Sequence, residues 1–162
     1  MGADSFGIFM IHKGKMQIAI NEALKAYAEG EVPVGAAIFQ GETLISTAHN
    51  CKESLKQATA HAEITAINLA CKMAGDWRLN GMTMYVTAEP CFMCAGAILQ
   101  ARIEKVVFGV CEPKFGGVVT HASLFDIPGL NSRVEYMGGV EEETIGNIMR
   151  RFFSELRKNK TD

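Results

Sequence analysis

MTMYVTAEPCFMCAGAILQARIEKVVFGV, residues 82–110, reads as strand, helix, strand. MTMYVT (82–87) is β-prone, and Pro90 suits a first helical turn, where its missing N–H is not needed. The helix it starts runs to about Gln100. KVVFGV (105–110) is nearly all apolar, as expected for a central strand covered on both faces. Two strands joined by a helix pair in parallel through a crossover connection.

The same reading extends outward. Met16, Ile20, Ala23, Leu24 and Tyr27 recur at helical spacing, predicting a first helix over 13–29 that stops at Gly30. VPVGAAIFQGETLISTAHN holds two β-prone runs around Gln40-Gly41 and reads as a hairpin. Residues 60–74 predict a second helix ending at Gly75, with Ile64, Ile67, Leu69 and Cys71 facing inward. After the central unit come a loop-rich stretch (111–132), a strand (133–137) and a last helix (142–158). The predicted fold class is α/β: a three-layer α/β/α sandwich around a five-stranded mixed sheet.

Composition narrows the class. The chain has 162 residues, 48% hydrophobic content and no repeat or linker, so a single domain over 1–162 is expected. A domain of this size buries roughly 70% of its unfolded surface and needs no disulfide staples. Five cysteines, an odd number, with no cleavable leader evident, point to a reducing, cytoplasmic compartment rather than a disulfide framework. The apolar runs are short and broken by charge, so no membrane span is expected. A net charge of −2 disfavours a general nucleic-acid binder. The tail MRRFFSELRKNK, however, sets Arg150, Arg151, Arg157, Lys158 and Lys160 against Glu155 alone, after the acidic Glu141–Glu143. Acids at the start and bases at the end also suit an ordinary helix dipole.

Cys91-x-x-Cys94 opens the helix that follows Pro90. Unpaired N–H groups and the dipole there favour thiolates, which serve a redox couple and a metal ion equally. His61-Ala62-Glu63, at the start of the preceding helix, separates these alternatives. Two cysteines and a histidine are three zinc ligands with a fourth position left for water, the pattern of a catalytic site. No further histidine (His12, His49, His121) or cysteine has ligand spacing to the cluster. Glu63 need not bind metal and can move protons. His-x-Glu followed by Pro-Cys-x-x-Cys is the known signature of zinc-dependent nucleobase deaminases, whose hydrolytic mechanism is taken from that signature.

The match is wider than this signature. EVPVGAAIF, AHN, HAEITAI, WRLNGMTMYVTAEPCFMCAGAILQARI, KVVFGV, PGLN and FFSELR, in this order, resemble the bacterial tRNA-specific adenosine deaminase family. The resemblance implies a cytidine-deaminase-like fold, a homodimer with one zinc per subunit, and conversion of the wobble adenosine of a tRNA anticodon to inosine. It implies that His61, Cys91 and Cys94 hold zinc, with Glu63 the proton carrier. It further implies that Asn50 and Val32 meet the flipped base, that Asn131 lies near its ribose, and that the last helix, with Arg150 and Arg151, lies near RNA. Asn50 reads equally well as a turn cap; Val32 can at the same time be plain core, and Asn131 has a second reading as a turn residue after Pro-Gly. One segment departs from the family. Cys111-Glu112-Pro113-Lys114 stands where an Asp usually occupies the Glu112 position, and Val119-Thr120-His121 replaces Gly-Ser-Leu. Any sugar contact by Glu112, with Lys114 beside it, must therefore be re-aimed. Of Phe152 and Phe153, adjacent on a helix, at most one should be exposed.

Three other readings share parts of this pattern. A free-base or nucleotide deaminase acting on guanine, cytosine or deoxycytidylate would carry the same zinc motif. A non-catalytic zinc or RNA-binding module would leave Glu63 without a task. A thioredoxin-like protein would leave His-x-Glu unexplained.

Overall fold

The computed structural model describes residues 2–161. Helix α1 (Gly2–Ala28) leads into the hairpin of β1 (Gly35–Gln40) and β2 (Thr43–His49). A single turn, α2 (Lys52–Leu55), precedes α3 (Ala62–Ala74). Then come β3 (Met82–Ala88), α4 (Phe92–Ala101) and β4 (Lys105–Val110). A 3₁₀ turn (Leu124–Asp126), the short β5 (Glu135–Met137) and α5 (Glu142–Asn159) follow.

The strands form one sheet in the order β2-β1-β3-β4-β5. β1 runs antiparallel to β2 and β3, whereas β3, β4 and β5 are parallel. The sheet is thus mixed and five-stranded, as expected. Its hairpin turns at Gly41, whose φ of +57° lies in the left-handed region that glycine enters without steric cost.

Alternate residues of the inner strands point to opposite faces, and both faces are apolar. Ala36, Ile38, Met84, Val86, Val106 and Phe108 pack beneath α3 and α4, which contribute Ala62, Ala66, Ala70, Ala95 and Ile98. Ala37, Phe39, Tyr85 and Val107 pack on the other side against Met16, Ala19 and Ile20 of α1 and Ile145 of α5. The three-layer sandwich follows. The helices bring small residues to the sheet, so the backbones come close. A Cβ on Gly35 would lie 2.0 Å from the Ala19 carbonyl oxygen and 2.5 Å from the Ala23 nitrogen.

Several local expectations need correction. α1 begins near Gly2 rather than at 13, because the helical periodicity only becomes visible where burial begins. Phe6, Phe9 and Met10 are exposed, and of the turns before residue 13 His12 is held against the sheet, 2.7 Å from the Tyr85 hydroxyl. Leu24 lies beside the buried stripe of Met16, Ala19, Ile20, Ala23 and Ala26 rather than in it. The inward face of α3 is Ala62, Glu63, Ala66, Ile67 and Ala70. Of the four residues expected there only Ile67 is buried, and Leu69 is exposed, because close packing on the sheet selects alanine. Pro90 precedes the N-cap of α4 instead of occupying its first turn. β5 is two residues shorter than expected, and β4 lies one strand off centre, though both its faces are covered. Phe152 is buried and Phe153 is 38% exposed, as expected. Among the described residues, no helix is long and apolar enough to cross a membrane.

Candidate active site

Strand register decides which loops meet. Gly35 pairs with His49, Ala36 with Val86, and Ala88 with Val110. The start of β1 and the ends of β2, β3 and β4 therefore lie at one end of the sheet. Val32, Asn50, Cys91 and Glu112 all belong to segments that leave this end.

Two helices also start here. His61 is the N-cap of α3 and Cys91 the N-cap of α4; both have extended backbone, and neither side chain caps its own helix. Both side chains are thus free to turn toward each other. Cys94 follows in the first turn of α4 and is fully buried. His61 Nδ1 lies 3.6 Å from Cys91 Sγ and 3.5 Å from Cys94 Sγ, and all three donor atoms fall within 4.8 Å of one another. Zinc bonds of about 2.05 Å to nitrogen and 2.3 Å to sulfur, at a tetrahedral angle, would separate N and S by about 3.6 Å. The donor types and both N···S spacings therefore fit a zinc ion.

The titration of the cluster follows from its surroundings. The Cys94 thiol donates to Cys91, which, with His61 beside it, draws the Cys91 thiol down to about 4 despite burial. The same bond, with burial and the nearby Glu63 carboxylate, pushes Cys94 strongly upward. His61 is raised by its bond to Cys91, against the effect of burial. Protons and a dication compete for the same lone pairs. Glu63, only 4% exposed, is pushed up chiefly by burial, and its carboxyl lies against the Cys94 thiol. A carboxyl whose affinity for a proton is raised by burial is suited to acid–base work.

The other expected residues divide. Asn50 is buried at the end of β2; its amide donates to the Val32 carbonyl (3.4 Å), and its oxygen accepts from the Lys52 N–H (3.3 Å). Val32 is half-buried beside it. Glu112 points its carboxylate into its own turn, accepting the N–H groups of Lys114 (2.9 Å) and Phe115, and Lys114 itself is exposed. Asn131 does not approach the cluster. It lines a surface groove with Trp77, Leu99 and Arg102 at the C-terminal end of α4, about 15 Å along that helix from its N-terminus. Its position follows from the loop's route to β5 over the far end of α4. Arg150 and Arg151 are exposed on α5, bonded within the helix to Asn147 (2.6 Å) and Glu155 (3.1 Å).

Two almost fully buried glutamates beside the cluster, Glu89 and Glu31, were not anticipated. Glu89 accepts the N–H groups of Glu112, Val118, Val119 and Thr120, at 2.9–3.2 Å, together with the Thr120 hydroxyl. Glu31 accepts those of Glu53 (2.7 Å) and Ser54 (2.9 Å), which forms the start of α2. Each carboxylate thereby fixes a loop beside the cluster. The available signal was a glutamate next to an apolar strand and a proline: buried there, it must find donors.

Comparison with known proteins agrees with this geometry. The family model for MafB19-like deaminases matches residues 10–157. The tRNA-specific adenosine deaminase of Bacillus subtilis is 48% identical over 90% of each chain, and that of Aquifex aeolicus 44% identical over 89% of this chain and 95% of its own. A solved structure from work on A-to-I editing by tRNA:A34 deaminases at the wobble position superimposes with a TM-score of 0.80. It is 37% identical and covers 83% of this chain and 98% of that one. A guanine deaminase from Nitrosomonas europaea, at 21% identity and a TM-score of 0.75, shares the fold. This chain belongs to the tRNA-specific adenosine deaminase family, within the cytidine-deaminase-like fold.

Proposed function

We propose that this protein hydrolyses the exocyclic amine of the wobble adenosine in a tRNA anticodon, leaving inosine. The observation that carries this reading is the convergence of His61, Cys91 and Cys94 beside the buried carboxyl of Glu63, in a chain 48% identical to a tRNA-specific adenosine deaminase. His61, Cys91 and Cys94 would hold one zinc ion per subunit. Bound zinc would supply Lewis acidity, lowering the pKa of a coordinated water to about 7.

The remaining chemistry belongs to the chain. Glu63 takes one proton of the attacking water onto a carboxylate oxygen and delivers it to the purine ring nitrogen. It then takes the second proton from the hydroxyl gained by the ring carbon and passes it to the amine, so that the C–N bond breaks, ammonia leaves and a carbonyl remains. Burial raises its affinity for that proton in the intervening state. Val32 and the neighbouring backbone form an apolar wall for the flipped base, and Asn50 offers it a hydrogen bond. Glu112 and Lys114 border the adjacent sugar and phosphate, with the Glu112 carboxylate acting through the turn it caps. Arg150 and Arg151 meet phosphates of the anticodon stem-loop. Residues 1–162 act as one deaminase domain, working as a homodimer in the cytoplasm.

The test is incubation of the metal-loaded protein with an anticodon stem-loop, and separately with free guanine and free cytosine. Inosine should form at the wobble position of the stem-loop, with neither free base consumed. Turnover of a free base without inosine formation would replace this reading by a free-base deaminase, which shares the fold and the metal ligands.

A further inference from the structure

A second group of donor atoms lies outside the site described above. Glu29, just past the end of α1, His49, the last residue of β2, and Cys51, the N-cap of α2, bring one carboxylate oxygen, one imidazole nitrogen and one sulfur within 4.8 Å of one another. None of the three belongs to the His61 cluster. We propose that Glu29, His49 and Cys51 form a second, exchangeable site for a borderline-soft divalent cation of the zinc class.

Three observations support this site. The first is orientation. Glu22, itself buried, bonds the His49 Nδ1 at 2.8 Å, and Nε2 lies 3.0 Å from Glu29. A carboxylate behind one ring nitrogen fixes the tautomer and aims the other at an ion, as is usual for metal-bound histidines. The second is donor chemistry. An N, O and S set matches zinc or cobalt and excludes the oxygen-only preference of magnesium and calcium. The third is charge. His49 Nδ1 faces Glu22 and Nε2 faces Glu29, both acceptors, so the ring is doubly protonated with a removable proton on Nε2. The Cys51 thiol holds another, donated to the His49 carbonyl at 3.4 Å. One dication that displaces both leaves the charge of the cluster unchanged, so the two carboxylates stay neutralised. The exchange is balanced: the ion enters, and one proton leaves Nε2 and one leaves Sγ.

The site differs in strength from the first. It offers one sulfur instead of two, and Glu29 is exposed, so water completes the coordination and the ion exchanges readily. Burial, with Glu29 and Glu31 nearby, holds the Cys51 thiol above its ordinary value, so occupancy rises with pH. The location gives the ion a mechanical effect. It would tie together the end of α1, the end of β2 and the start of α2, on both sides of Asn50.

The experiment starts from protein carrying one zinc per chain and titrates it with zinc chloride, and in parallel with cobalt chloride. Calorimetry should show a second equivalent that releases about two protons. Cys51→Ser should bind this equivalent at least tenfold more weakly while retaining the first, and His49→Gln should do the same. With cobalt, the thiolate-to-metal absorption of the unaltered protein should exceed that of Cys51→Ser. A one-site titration of the unaltered protein would overturn the proposal, as would a second equivalent undiminished in Cys51→Ser. If His49→Gln fails to fold, as judged by circular dichroism, the near-isosteric Cys51→Ser and the cobalt spectra still decide. Neither result bears on deamination, which rests on the other cluster.

Discussion

Glu63 follows His61 by two residues, an offset that would send the side chains to different faces in mid-helix. The backbone resolves this. His61, as N-cap, has φ −78° and ψ 151°, so its side chain is not on the helical wheel and shares a space with Glu63. Glu63→Gln keeps the volume and removes the titratable proton. Metal content should be unchanged, and inosine formation should fall by about 10²–10⁴-fold, the usual contribution of a positioned acid–base group. Metal analysis beside single-turnover assays checks this, and undiminished turnover would refute the role. The proximity of His61 to both cysteines was inferred from residue type and spacing. The engagement of the Glu112 carboxylate in its own turn was not, because it depends on which backbone N–H groups the loop presents.

At the scale of elements, the loop after β4 is held by one buried side chain. Glu89 takes four backbone N–H groups and a hydroxyl, and Gly116 packs so closely that a Cβ there would lie 2.6 Å from the carboxylate. Glu89→Gln replaces one acceptor oxygen by a donor and leaves N–H groups unsatisfied, at about 1–3 kcal/mol each. The melting temperature should drop, and KM for the stem-loop should rise more than kcat falls. Burial alone would raise the Glu89 pKa, but the bonds from Thr120, Val119 and Glu112 outweigh it and hold it below the ordinary value of 4.5. The carboxylate therefore stabilises the fold above about pH 4.5, and this contribution disappears as the pH falls through the lowered value. Acid unfolding monitored by fluorescence should begin at higher pH in the variant. Gly35 is an element-scale feature of a different kind. Gly35→Ala drives a methyl group into the α1 backbone, and denaturant titration should show a loss of about 1–3 kcal/mol or more. An unchanged midpoint would mean that α1 can lift from the sheet without penalty.

At the scale of the whole molecule, charge is unevenly placed. The chain carries −2 overall, while its C-terminal stretch from Arg150 to Lys160 is basic, with Arg150, Arg151, Arg157, Lys158 and Lys160 exposed. Binding of a stem-loop through this end should be salt-dependent. Replacing both Arg150 and Arg151 by alanine should weaken binding across sequences alike. It should also reduce the slope of log affinity against log salt by about one for each phosphate that is no longer neutralised. Filter binding at several salt concentrations measures this; an unchanged slope would place the RNA elsewhere.

The sequence by itself determined the order of elements, the mixed sheet, the hairpin at Gly41 and the candidate metal donors. These depend on local period, on turn residues and on ligand chemistry, all of which act over a few neighbouring positions. It also carried the family, through motifs spread over most of the chain. Only the tertiary structure decided that α1 extends to Gly2, that alanines rather than the larger apolar residues of α3 face the sheet, and that Asn131 lies at the far end of α4. The same holds for Glu89 and Glu31 as loop anchors, and for the meeting of Glu29, His49 and Cys51. Each of these depends on strand register and on which backbone groups a buried carboxylate can reach. Such interactions join residues distant in sequence, and no local periodicity records them.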